Sequence, residues 1–224
     1  MSKTAILIDG GFYNKRAEVL FGKQAPELRV KTLIEYCYKH LSHGDGKQEL
    51  YRIFYYDCPP IDKKVLHPMT GENINYKNLD KYREATEFLE LMKQQRKVAI
   101  RLGKISGNGS NFIIPDYVVK KLFDKNNPKS FESLKPSDLK LNVRQKGVDM
   151  RIGVDIASLA YKKQVDQIVL IAGDSDFVPV GKVARREGID FILDPMWNHL
   201  SSDLSEHIDG LFSPCENPAK KKER

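Results

Sequence analysis

Two apolar runs in this chain end on aspartate. Residues 4–8, "TAILI", run into Asp9-Gly10-Gly11, and residues 167–172, "QIVLIA", run into Gly173-Asp174-Ser175-Asp176. A run that is apolar at successive positions, and not at alternate ones, belongs to a strand covered on both faces. The remaining chain contains the covering layers. "ELYRIFYYD", "KVAIRLG" and "IDFIL" read as further strands. Between them, "PELRVKTLIEYCYKHL" places Leu28, Leu33, Ile34, Cys37, Tyr38 and Leu41 at amphipathic helical spacing. "DKYREATEFLELMKQQR" and "DFVPVGKVARREG" read as helices, as does the stretch from about Val148, whose apolar face is Val148, Ile152, Ile156, Leu159 and Ala160. "LSSDLSEHIDGLF" reads as a last short helix capped by Ser201 or Ser202, and Gly10-Gly11 as a turn. Strands alternating with helices predict an α/β fold, a Rossmann-like parallel sheet with helices on both faces.

Such sheets bind ligands beyond the carboxyl ends of their strands. That rule puts Asp9, Asp174 and Asp176 on one edge of the molecule, and Asp149 joins them near the start of its helix. Each alone has a local explanation: Asp149 favoured by a helix dipole, Asp174 or Asp176 capping the next helix, Asp9 bonded to the glycine turn. Together they repel, and burying them costs stability unless a cation compensates. Hard oxygen ligands of this kind suit Mg²⁺ or Mn²⁺, which activate water and stabilise phosphoryl oxygens. Asp155 lies six residues after Asp149, about 120° around the helix, so it is assigned a supporting or structural role. Ser175 has no adjacent histidine and is expected to orient a carboxylate or water. The five histidines form no metal-spaced pair, and His40 and His43 fit helix-end capping.

The formal charge of +7 is unevenly distributed. Residues 117–146 carry eight basic side chains against three acidic ones, and Lys93, Arg96, Lys97, Arg101 and Lys104 precede them with no acid between. This basic middle is a candidate polyanion footprint, with an ordinary solvated surface as the alternative. From 105 to 145 the periodicity is lost, apart from a helical candidate around Tyr117 to Phe123. A loop-rich span of this length inside a domain is usually functional. Phe112, Tyr117 and Phe131 are candidates for base stacking, with core packing the alternative for each. The three scattered cysteines argue against a disulfide framework and a structural zinc site. No apolar run approaches the ~20 residues of a membrane span, and the apolar start is too short for a signal peptide. The expectation is a cytoplasmic protein that does not enter a membrane. No G-x-G-x-x-G or P-loop pattern supports a nucleotide cofactor.

The stretches "ILIDGGFYN", "KGVDMRIGVDIASLAYKKQVDQIVLIAGDSDFVPVGKVARREGIDFIL" and "LSSDLSEHIDGLF" resemble the NYN domain, a branch of the PIN-like nuclease fold. The resemblance covers the first strand and residues 146 to about 212, leaving the 105–145 insertion uncovered. It implies a single domain over 1–212, followed by a basic flexible tail over 213–224. It also implies a metal-dependent ribonuclease in which Asp9, Asp149, Asp174 and Asp176 bind one or two Mg²⁺ or Mn²⁺ ions and perform catalysis. RNA is the implied partner, with Lys97, Arg101, Lys104, Lys120, Lys121, Arg144 and Lys146 as candidate contacts; self-association and protein partners are left open. Many family members read D-G-x-N after the first strand. Here Phe12 stands at the fourth position, and Asn14, two residues on, is the candidate substitute. The "GDSDF" stretch also resembles a motif of haloacid-dehalogenase-type phosphatases, but the D-x-D those enzymes need is Asp9-Gly10-Gly11 here. The remaining alternative is a non-catalytic nucleic-acid or protein-binding module that retains the fold.

Overall fold

The computed structural model describes residues 1–42, 48–106, 111–126, 128, 130–200 and 202–219. His43, Lys129, Ser201 and tail residues 220–224 lie outside the described residues. The chain begins with β1 (Ser2–Asp9), α1 (Gly10–Phe21), α2 (Pro26–Leu41) and β2 (Gln48–Asp57). A small hairpin, β3 (Lys64–Leu66) and β4 (Asn73–Asn75), precedes α3 (Asp80–Lys93) and β5 (Val98–Leu102). Then come β6 (Lys104–Ser106), β7 (Phe112–Ile113), α4 (Asp116–Leu122), β8 (Lys140–Leu141) and β9 (Arg144–Lys146). The chain closes with α5 (Val148–Tyr161), β10 (Gln167–Ile171), α6 (Val178–Arg186), β11 (Asp190–Asp194), α7 (Ser202–Ser205) and β12 (Gly210–Leu211).

The central sheet runs β12-β11-β10-β1-β2-β5, and every neighbouring pair is parallel. Counting only its own strands in chain order, this is the 3-2-1-4-5-6 order of doubly wound sheets. Side chains alternate faces along each strand, so both faces must be covered. Ile6, Ile8, Ile53, Tyr55, Val169 and Ile171 pack with α1, α2 and α3. Ala5, Leu7, Phe54, Tyr56, Ile168 and Leu170 pack with α5 and α6. The winding reverses between β1 and β10, the two central strands.

The Gly10-Gly11 pair differs from its expected turn: it opens α1. Asp9 caps this helix, its side chain accepting the Phe12 amide at 3.1 Å. Gly10 is required there, because a Cβ would lie 2.6 Å from the Tyr56 carbonyl oxygen and 2.7 Å from the Tyr55 ring. The 105–145 stretch is also more regular than its sequence suggests. β6 pairs antiparallel with β9, β7 with β8, and α4 occupies the expected helical position. These two nested pairs, together the ribbon, follow the carboxyl end of β5. Its far part meets the β3–β4 hairpin, where the His67 ring lies edge-on to Phe112 at 4.8 Å and its Nε2 sits 3.2 Å from the Pro136 carbonyl oxygen.

His40 is not a helix cap. It lies buried with its Nε2 2.9 Å from Oδ2 of Asp194, the last residue of β11. Asp194 also accepts from the Tyr36 hydroxyl at 2.6 Å, the Met196 amide at 2.7 Å and the Ser213 hydroxyl at 2.5 Å. Trp197 Nε1 donates to the Cys215 carbonyl at 2.7 Å. The tail expected to be free from residue 213 is therefore bound to the body through Ser213 and Cys215. This carboxylate is buried but fully partnered, and removing it strands four groups in the core. Asp194→Ala is expected to lower unfolding free energy by roughly 3–5 kcal/mol, measured by urea denaturation, whereas Ser213→Ala costs only about 1 kcal/mol.

Candidate active site

The reversal point opens into a cleft of about 610 Å³ lined by Asp9, Asp149 and Asp174, with Phe12, Lys15 and Gln145 beside them. Three helix starts deliver the three acids. Asp9 caps α1, Asp149 lies in the first turn of α5, and Asp174 caps the 3₁₀ turn Ser175–Phe177 that leads into α6. The Asp174 carboxylate accepts the Asp176 amide at 3.1 Å. The local capping roles available to Asp9 and Asp174 are thus both real, and each capping residue also faces the cleft. Positive helix ends offset part of the carboxylate repulsion, typically by 0.3–1 kcal/mol each.

The acids feel one another. Burial pushes the Asp9 pKa above its ordinary 3.8; the Phe12 amide opposes this, while the charges of Asp149 and Asp57 add to it. Burial also raises Asp149, followed by the charges of Asp174 and Asp176. Asp176 acts on the cluster through its charge, from just outside the cleft lining. Among the described residues, no three His, Cys, Asp or Glu side chains stand close enough to hold one ion directly between them. The donor set nevertheless fits Mg²⁺ or Mn²⁺. All its atoms are hard oxygens around a roomy cleft, and Mg²⁺ commonly keeps several waters while taking only one or two carboxylates.

Several expected site residues lie elsewhere. Asn14 faces away from the cleft and donates to the Tyr55 hydroxyl at 3.0 Å and to Asp57 at 3.3 Å. Phe12, and not Asn14, lines the cleft, and its ring packs so closely on Gly173 that a Cβ there would meet it at 2.5 Å. Asp155 belongs to the far part of α5, where it accepts from the Tyr56 hydroxyl at 2.7 Å and from Arg101 at 3.3 Å. Ser175 lines the cleft. Lys97 precedes β5, at the amino end of a parallel sheet and so opposite the acids, where it bonds Glu49 at 3.2 Å and the Leu50 carbonyl. Lys104, Arg144 and Lys146 are exposed on the ribbon, and Lys120 and Lys121 are exposed on α4. Strand alternation puts Gln145 and Ile105 on the side of the clefts they line and the three basic residues on the other.

Lys15, Gln145, His199 and Asp57 had no assigned role from sequence. Lys15 follows Phe12 by one helical turn, a relation hidden while Gly10-Gly11 is read as a turn. Asp57 ends β2 as Asp9 ends β1, so the strand-end rule that selected Asp9 selects it equally. Its pKa is also raised, mainly by burial.

An acidic cleft at the reversal point of a Rossmann-like sheet defines a PIN-like α/β domain. The family model described as the NYN domain matches residues 69–210, more than half of the chain, and the chain belongs to this family of PIN-like nuclease-superfamily domains. The match runs through the 105–145 ribbon, which the sequence resemblance left uncovered, and begins after the strand that carries Asp9. No curated protein matches the sequence significantly. A crystal structure of a protein of unknown function from Vibrio parahaemolyticus aligns over 94% of this chain and 91% of its own, with 15% identity and a TM-score of 0.48.

Because the Asp149 pKa is raised on folding, its ionised form costs stability. That cost is absent below about pH 4, where the carboxyl is protonated in both states, and grows as pH rises through the raised value. Asp149→Asn is therefore expected to melt above the parent at pH 7, with the difference vanishing toward pH 4. Mn²⁺ should raise the parent's melting temperature and leave the variant's nearly unchanged. Thermal scans across pH, with and without Mn²⁺, check both.

Proposed function

We propose that this protein is a metal-dependent ribonuclease that hydrolyses RNA phosphodiester bonds in the acidic cleft. The observation that carries the reading is the convergence of Asp9, Asp149 and Asp174 on one cleft, with Asp176 adding charge from its edge. Membership of a nuclease-like family supports it. Asp9, Asp149 and Asp174 would hold Mg²⁺ or Mn²⁺, directly or through water. When bound, such an ion neutralises phosphoryl charge and makes a nearby water more acidic. Asp9, which lines the cleft, would also orient the attacking water. Lys15, the cation lining the cleft, faces the charge that builds on the phosphate. Three helix starts add backbone amides of the same polarity.

The outward face of the ribbon supports an RNA path. Lys104 and Lys146 stand directly opposite in the β6–β9 register, with Arg144 two residues on. Like charges opposite one another destabilise a sheet pair, and a phosphate backbone lying across them relieves that cost. The non-catalytic alternative has its own support in Phe12, whose packed ring takes the position of a polar family residue. The two readings separate in one assay, using end-labelled single-stranded RNA and DNA with Mn²⁺, Mg²⁺ or EDTA. The nuclease reading expects RNA cleavage with metal, none with EDTA, and a loss of about 100-fold or more in Asp174→Asn. RNA binding without cleavage under every metal condition selects the alternative. Separately, Lys104→Glu/Lys146→Glu should weaken RNA binding and flatten its dependence on salt, read by filter binding from 50 to 200 mM salt.

A further inference from the structure

A second cavity, of about 340 Å³, abuts the acidic cleft, and Gln145 lines both. This is near the lower end of the roughly 300–1,000 Å³ typical of small-ligand sites. It sits beyond the carboxyl end of β2, between α3 and the ribbon, with Tyr76, Leu79, Tyr82 and Ala85 in its walls. A polar group lies at its inner end. Asp57 Oδ2 accepts from the Tyr55 hydroxyl at 3.1 Å and from Asn14 Nδ2 at 3.3 Å, and Oδ1 accepts from the Cys58 amide at 2.7 Å. Arg29 fixes Asn14 by donating to its Oδ1 at 3.0 Å, and lies over the Phe88 ring at 4.4 Å. A carboxylate offers about four lone-pair sites, so three donors leave acceptor capacity on Oδ1. A mainly apolar, aromatic-walled cavity with a fixed carboxylate acceptor, and with Arg29, Lys81 and Gln145 also in its lining, suits a flat heterocycle that carries an amino group. α1 links the two sites, since Phe12 and Lys15 line the cleft and Asn14 the cavity.

We infer that this cavity receives an unstacked nucleobase of a single-stranded RNA whose backbone lies in the acidic cleft, with Asp57 accepting an amino hydrogen of that base. Single-stranded recognition commonly works this way, by splaying a base into an aromatic-walled pocket and bonding its edge. The inference deepens the ribonuclease reading and rests on it for the identity of the strand. The Asn14 and Asp57 set thereby acquires a role in substrate selection: bases with an exocyclic amine are favoured over uracil, whose N3–H donor is flanked by two carbonyl oxygens that the carboxylate repels.

The test uses the full chain in EDTA, so that nothing is cleaved. AMP, CMP, GMP, UMP and ribose 5-phosphate are titrated against amide NMR shifts. Saturable shifts at residues 57, 58, 61 and 79–85 are expected with the amino-bearing nucleotides, about three- to tenfold weaker binding of UMP, and no such shifts with ribose 5-phosphate. Ala85→Phe, which fills the cavity, should abolish the shifts. Asp57→Asn, which keeps the shape, should erase the preference over UMP. Equal shifts with ribose 5-phosphate, or unchanged nucleotide binding in a folded Ala85→Phe protein, overturn the inference. Should Ala85→Phe not fold, an unchanged preference in Asp57→Asn overturns it. The cleavage assay separates the two ideas. Nucleotide binding by a protein that never cuts RNA keeps the cavity and removes the nuclease, whereas cutting without any nucleotide shifts keeps the nuclease and removes the cavity.

Discussion

The pairing of β1 with β10 organises this molecule. Five residue pairs, from Thr4–Gln167 to Ile8–Ile171, hold the two most buried strands side by side. The connections that follow them leave on opposite faces of the sheet, α1 on one and α6 on the other. The acidic cleft opens in the gap between these departing segments. Asp9 and Asp174 lie at that gap because each directly follows a strand of this pair. Asp149 arrives from a third element, α5, which packs beneath the same edge.

Such an arrangement gathers negative charge where the fold would otherwise bury apolar surface. The structure compensates locally with helix starts, capped amides and an open cleft, and it leaves Asp9 and Asp149 raised in pKa. Asp194 provides the contrast within the same sheet. It too ends a strand, yet it is enclosed by Tyr36, His40, Met196 and Ser213 and serves only to close the core. The same residue type at the same kind of position faces an open cleft or closes the core according to whether the protein supplies its partners.

The ribbon and the second cavity show why a structured region can be invisible to periodicity. Strands of two or three residues carry too few side chains to display alternation, so β6 to β9 read as loop. Their pairing is set by contacts across up to 42 positions, as in Lys104–Lys146. Gln145 gains its place between two clefts only through that pairing. Charge counting found the ribbon's basic character, but only register shows that Lys104, Arg144 and Lys146 turn outward. Lys97 and Arg101, counted with them, belong to β5 and its amino end, where Glu49 and Asp155 bind them.

The sequence by itself determined the α/β class, most of the sheet strands and their covering helices, and the acids Asp9, Asp149 and Asp174. Continuous apolar runs and helical spacing are local properties, and the rule placing ligands at strand ends needs only their direction. Tertiary structure alone decided the strand order, the helix that starts at Gly10, the separation of Asn14 and Asp155 from the cleft, and the inclusion of Lys15 and Gln145. Those facts depend on which distant residues meet. A single chain's residue pattern does not encode such pairings locally, because the free energy that selects them is shared over the whole packed core.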